Sequence, residues 1–168
     1  MGYKVLWIED GAFVEIPHFA GPVVLSKKYT LRVAFNVSDA VKQIQSAEYD
    51  VVIVDIRILP GADPDWENLY KKSGYNKIDA RLGIKLLFSL LKSDEAAVKL
   101  SNIPSWISPV KFGVFTVEGE REVKDDLDEL GVAFYRQKKA GISRKTLLEL
   151  IEAIIEGLKK TYKPGGQK

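Results

Sequence analysis

The stretch Asp50-Val-Val-Ile-Val-Asp55-Ile-Arg-Ile-Leu-Pro60 constrains the fold more than any other part of the chain. Four consecutive β-branched residues, Val51 to Val54, leave no polar face for solvent. Such a run reads as a short strand covered on both sides, the environment of a central strand in a parallel sheet. Open parallel sheets bind ligands at the carboxyl ends of their strands. Asp55 stands at that end, and a simpler role for it there is to open a turn.

Four more apolar runs repeat the pattern. Val5-Leu-Trp-Ile8 ends in the acidic pair Glu9-Asp10, and Leu31 to Phe35 forms a second strand. Lys111-Phe-Gly-Val-Phe-Thr116 ends in a hydroxyl, and Val132-Ala-Phe-Tyr135 is followed closely by Lys138. Helical periodicity fills the gaps. Ser38 is placed to cap a helix with Val37, Val41 and Ile44 on one side. Leu82, Leu86, Leu87, Leu90 and Leu91 predict a helix that extends towards Leu100. Glu118 to Leu130 closes on Gly131, and Leu147, Leu148, Ile151, Ile154, Ile155 and Leu158 form the clearest stripe. Between residues 11 and 30, Pro17 and Pro22 argue against one continuous helix and for a loop followed by a short helix with Pro22 in its first turn. Residues 61–80 show no clear period and read as a long loop.

Strands alternating with helices predict an α/β, doubly wound, five-stranded parallel sheet flanked by helices. Right-handed crossovers bring the strand ends to one rim, which then collects Glu9, Asp10, Asp55, Thr116 and Lys138. The expected domain covers residues 1–160, with 61–80 inserted at that rim and 161–168 a frayed tail.

Bulk properties narrow the function. The 168 residues carry a net charge of +2, which gives no reason to expect nucleic acid or a membrane surface as partner. No apolar run approaches the ~20 residues of a spanning helix, and no hydrophobic signal core follows Met1. The absence of cysteine excludes thiolate catalysis and makes the cytoplasm the expected location. His18 is the lone histidine, too little for both a triad and a metal site. Neither a G-x-G-x-x-G nor a Walker A sequence occurs.

The order of the motifs resembles the receiver domain of two-component response regulators: an acidic pair after strand 1, Asp after strand 3, Thr after strand 4 and Lys after strand 5. Tyr135, three residues before Lys138, matches the family's switch aromatic and selects Lys138 over Lys139. The resemblance implies a flavodoxin-like strand order, 2-1-3-4-5. It further implies that Asp55 accepts a phosphoryl group in a Mg²⁺-dependent reaction. Asp10, Asp55 and the Arg57 backbone carbonyl would hold the ion, with Glu9 acting through water. Lys138 would pair with phosphoryl oxygens, and Thr116 and Tyr135 would switch the surface formed by the fourth helix, fifth strand and last helix. The implied partners are a histidine kinase or phosphotransfer protein and a downstream protein target, with a homodimer left open. Any catalysis would be confined to the protein's own phosphorylation and dephosphorylation.

Each residue alone has a plainer structural role: Glu9-Asp10 a solvated turn, Thr116 a β-former, Lys138 one of a surface pair, Tyr135 core. The sequence also departs from the family pattern. Pro60 lies five residues after Asp55 rather than four, about twenty residues precede Leu82-Gly83-Ile84, Val117 replaces a small residue, and Lys139 replaces a proline. A receiver-like interaction module without phosphotransfer is the main alternative. A phosphatase of the haloacid dehalogenase type would need a second Asp where Arg57 stands.

Overall fold

The computed structural model describes residues 2–11 and 15–162. Its centre is a five-stranded sheet ordered β2-β1-β3-β4-β5, with every neighbouring pair parallel. The strands are β1 (Tyr3–Ile8), β2 (Tyr29–Ala34), β3 (Val51–Val54), β4 (Phe112–Thr116) and β5 (Phe134–Gln137). Every residue of β3 and β4 is buried, as the β-branched run demands. Because side chains alternate across a strand, β1 sends Val5 and Trp7 to one face and Leu6 and Ile8 to the other. The first face is covered by α1 (Glu15–Leu25) and α7 (Thr146–Thr161). The second is covered by α2 (Val37–Ser46), α5 (Leu82–Leu91) and α6 (Glu120–Leu130).

Five local expectations are corrected. First, Pro17 and Pro22 lie within one helix, α1. Pro17 falls in the first turn, where an N–H needs no helical partner, while Pro22 forfeits one backbone bond and is buried beside Phe19 and Val23. Second, α2 is capped by Asn36, whose side chain accepts from the Asp39 N–H at 2.8 Å. Ser38 instead donates to the Pro60 carbonyl at 2.6 Å and accepts from the Asp63 N–H at 2.9 Å.

Third, α5 stops at Leu91 because Lys92 leaves helical conformation (φ −139°, ψ 63°), and Val98 folds back into the core. Fourth, β5 begins two residues later than predicted. Val132 belongs to the end of α6, donating its N–H to the Leu127 carbonyl after the left-handed Gly131 (φ 72°).

The fifth concerns residues 61–80, which contain α3 (Pro64–Lys72) and α4 (Lys77–Ala80) rather than a continuous loop. Asp63 caps α3, accepting from the Asp65 N–H at 2.9 Å, with Pro64 next to it in the first turn. Trp66 is 1% exposed and belongs to the core shared by α2, α5 and α6. Of the expected tail at 161–168, Thr161 closes α7 and residues 163–168 lie outside the described residues.

Candidate functional site

Parallel strands bring their carboxyl ends to one rim, and the register aligns them there: Ile8 pairs with Val54 and Thr116 with Gln137. Glu9, Asp55 and Lys138 are the next residues of their chains. Their main chains extend the ladder, since Asp55 N–H donates to the Ile8 carbonyl at 3.0 Å and Lys138 N–H to the Thr116 carbonyl at 2.7 Å. The side chains are therefore placed by backbone pairing.

Lys138 is the hub. Its buried ammonium donates to Asp55 Oδ2 at 3.0 Å, to Glu9 Oε2 and to Glu15 Oε2 at 3.3 Å, with the Phe115 ring beneath it at 5.2 Å. Glu9 also accepts the Gly11 N–H at 2.8 Å, and Asp55 Oδ1 accepts the Arg57 N–H at 3.2 Å. Burial raises the Glu9 pKa to about 7, the adjacent Asp55 charge adding to the rise and Lys138 opposing it. For Lys138 burial works against the charge, but Asp55 and Glu9 overcome it and hold the ammonium above its ordinary range. Were both buried carboxyls ionised, the one ammonium would leave a negative charge in excess, which a proton on Glu9 relieves.

Asp10 turns to a different partner. Its Oδ2 accepts from Lys77 Nζ of α4 at 3.0 Å. Thr116 is fully buried, its Oγ1 3.5 Å from the Glu118 N–H. Tyr135 is half-buried, and its hydroxyl donates to the Glu118 carbonyl at 2.5 Å. The Glu118 carboxylate, also buried, is held by Arg57 Nε at 3.4 Å and Arg81 Nη2 at 3.1 Å. Arg81 further reaches Asp126 Oδ2 at 3.0 Å and the Glu122 carbonyl at 3.1 Å, both on α6. Gly83 lets α5 close on the site, since a Cβ there would stand 2.0 Å from the Asp55 carbonyl oxygen.

The structure thus joins Glu9, Asp55 and Lys138 directly, with Thr116 and Tyr135 on the strands beside them. Asp10 sits on the same rim but pairs elsewhere. Sequence reasoning missed Glu15, Lys77, Arg81 and Glu118 as members of this network. Only Glu118, two residues beyond Thr116, had a position that could have flagged it.

Among the described residues, no group of three or more acidic or histidine side chains is arranged to hold a metal ion, and the carboxylates of Glu9, Asp55 and Glu15 converge on the Lys138 ammonium instead. Mg²⁺ asks for less, one or two carboxylates and several waters. Asp10 and Asp55 supply that donor chemistry, each now paired with a lysine.

No protein-family model and no curated protein matches the sequence. Solved structures match its fold. A CheY-like receiver domain from Methanospirillum hungatei aligns over 95% of this chain and 99% of its own, at 16% identity and TM-score 0.60. The fold is that of a response-regulator receiver domain. A Francisella receiver domain agrees at 22% identity and TM-score 0.58, covering 95% of this chain and 99% of that one. A Thermotoga maritima response regulator does so at 12% and 0.59, covering 93% and 99%. At these identities the likeness is one of fold. Among the described residues, no helix is long and apolar enough to cross a membrane.

Proposed function

We propose that this receiver domain is a cytoplasmic phosphoacceptor, charged at Asp55 by a phosphohistidine on a kinase or phosphotransfer protein. The observation that supports it best is the Lys138 ammonium, which reaches across β4 from the end of β5 to lie 3.0 Å from the Asp55 carboxylate at the end of β3, in a receiver fold. An Asp55 oxygen forms the new O–P bond as the P–N bond of the donor breaks. The imidazole leaves with the bonding electrons and takes up a proton. Mg²⁺ would neutralise charge between the carboxylate and the incoming phosphoryl oxygens. Asp10 and Asp55 would hold it directly, with the Arg57 carbonyl completing the protein ligands and Glu9 acting through water, as the family pattern implies.

Lys138 then exchanges a carboxylate contact for a phosphoryl oxygen, and the Thr116 hydroxyl donates to another. Tyr135 is tied through the Glu118 carbonyl to the loop that follows Thr116, so displacement of Thr116 reaches the surface of α6, β5 and α7, where a downstream protein docks. The phosphoryl mimic beryllofluoride with Mg²⁺ tests this reading. It should shift the amide resonances of Thr116, Tyr135 and Lys138, and should not do so in Asp55→Asn. Unchanged spectra in the wild-type protein would contradict it.

A second reading, an interaction module without phosphotransfer, is favoured by one observation. Glu9 and Asp55 share Lys138 while Asp10 has Lys77, so each acid already has a cation of the chain's own.

A further inference from the structure

Lys77 belongs to the segment between β3 and α5, yet its ammonium reaches Asp10, the residue after Glu9 at the end of β1, at 3.0 Å. We propose that Lys77 is a tethered counterion for Asp10 that a divalent cation must displace, so that the segment carrying it limits metal entry to the site. The inference rests on the metal-binding part of the function proposed above.

Two features distinguish this contact from an ordinary surface ion pair. The Asp10 side chain is only 7% exposed, so its charge is largely withdrawn from water and depends on a partner. The segment that delivers Lys77 is also anchored on both sides. Upstream, Trp66 is in the core; downstream, Ala80 and Leu82 are fully buried, and Arg81 grips Glu118 and Asp126. Asn76 fixes the start of α4 by accepting from the Ile78 N–H at 2.9 Å. An ammonium held this way faces Asp10 at a high effective concentration.

The same geometry lets the contact open. Lys77 is 41% exposed along its side chain, so its flexible stem can swing into solvent while the anchors stay in place. Lys138 cannot do this without unburying its ammonium. A metal ion arriving at Asp10 competes with Lys77 for the same carboxylate, and the outcome sets its apparent affinity.

Calorimetric titration of the full chain with MgCl₂ tests the inference, using Lys77→Gln, Lys77→Arg and the pair Asp10→Asn and Lys77→Gln combined. Lys77→Gln should bind Mg²⁺ about fivefold more tightly than wild type, the scale of one partly exposed ion pair. Lys77→Arg, which keeps the charge, should retain the wild-type affinity. The gain should vanish when Asp10→Asn is added. Wild-type or weaker affinity in Lys77→Gln, or a gain that persists without the Asp10 carboxylate, would overturn the inference and leave the metal site standing. No binding by either wild type or Lys77→Gln, with both proteins folded by circular dichroism, would overturn the inference and the metal site together.

Discussion

At the rim, Glu9, Asp55 and Lys138 form a buried group whose charge depends on pH. The Glu9 carboxyl sits at about 7 against an ordinary 4.5. Between those values the folded protein keeps a proton that the unfolded chain has released. The stability from this group is therefore complete below pH 4.5, falls as pH rises towards 7, and is level above. Its size is roughly 3 kcal/mol. Denaturant midpoints measured from about pH 5 to pH 7.5 should show that decline, and Glu9→Gln should flatten it relative to wild type. Lys138→Met strands the two carboxylates and should lower stability at neutral pH by roughly 3–5 kcal/mol. Asp55 and Thr116 were legible in the sequence because an apolar run fixes the strand end at which each stands, whereas Lys138 was singled out by its spacing from Tyr135, the run before it having placed β5 two residues early. Lys77, Arg81 and Glu15 were not, since their partners lie on other elements and only the folded chain brings them to the rim.

At the scale of elements, the segment between β3 and α5 is structural as well as local to the site. Trp66 fills part of the core, so Trp66→Ala should lower unfolding free energy by roughly 3–5 kcal/mol, read from urea denaturation. Excision of 61–80 should likewise destabilise the fold, contrary to what a loop would do. The signs of α3 are present in the sequence: Asp63-Pro64 at its start, Asp65 and Glu67 in the first turn, Lys71 and Lys72 in the last. Its apolar stripe, Trp66, Leu69 and Tyr70, spans little more than one turn, too short for periodicity to register. In α1 the error ran the other way. Two prolines looked like breakers, but burial of Phe19, Pro22 and Val23 against the sheet outweighs one missing backbone bond. Arg81 joins α4 to α5 in a left-handed conformation (φ 45°), a strain of about 1 kcal/mol offset by its contacts to Glu118 and α6.

For the whole molecule, the parallel sheet was the most legible feature, because β3 and β4 have no exposed residue and a chain alternating such strands with helices has few other ways to fold. That topology places acids, hydroxyl and lysine on one rim, the groups on which the proposed chemistry would draw. Val117, beside the buried Thr116, is 41% exposed on that rim, so Val117→Ala should ease the approach of water and shorten the life of an acyl phosphate at Asp55, as followed by its decay. Mass spectrometry of the intact protein after incubation with acetyl phosphate and Mg²⁺ tests the central claim most directly. The account predicts one labile adduct of phosphoryl mass that disappears in Asp55→Asn and in EDTA. An unmodified protein under those conditions and with a phosphohistidine donor, or an adduct that survives Asp55→Asn, would contradict it.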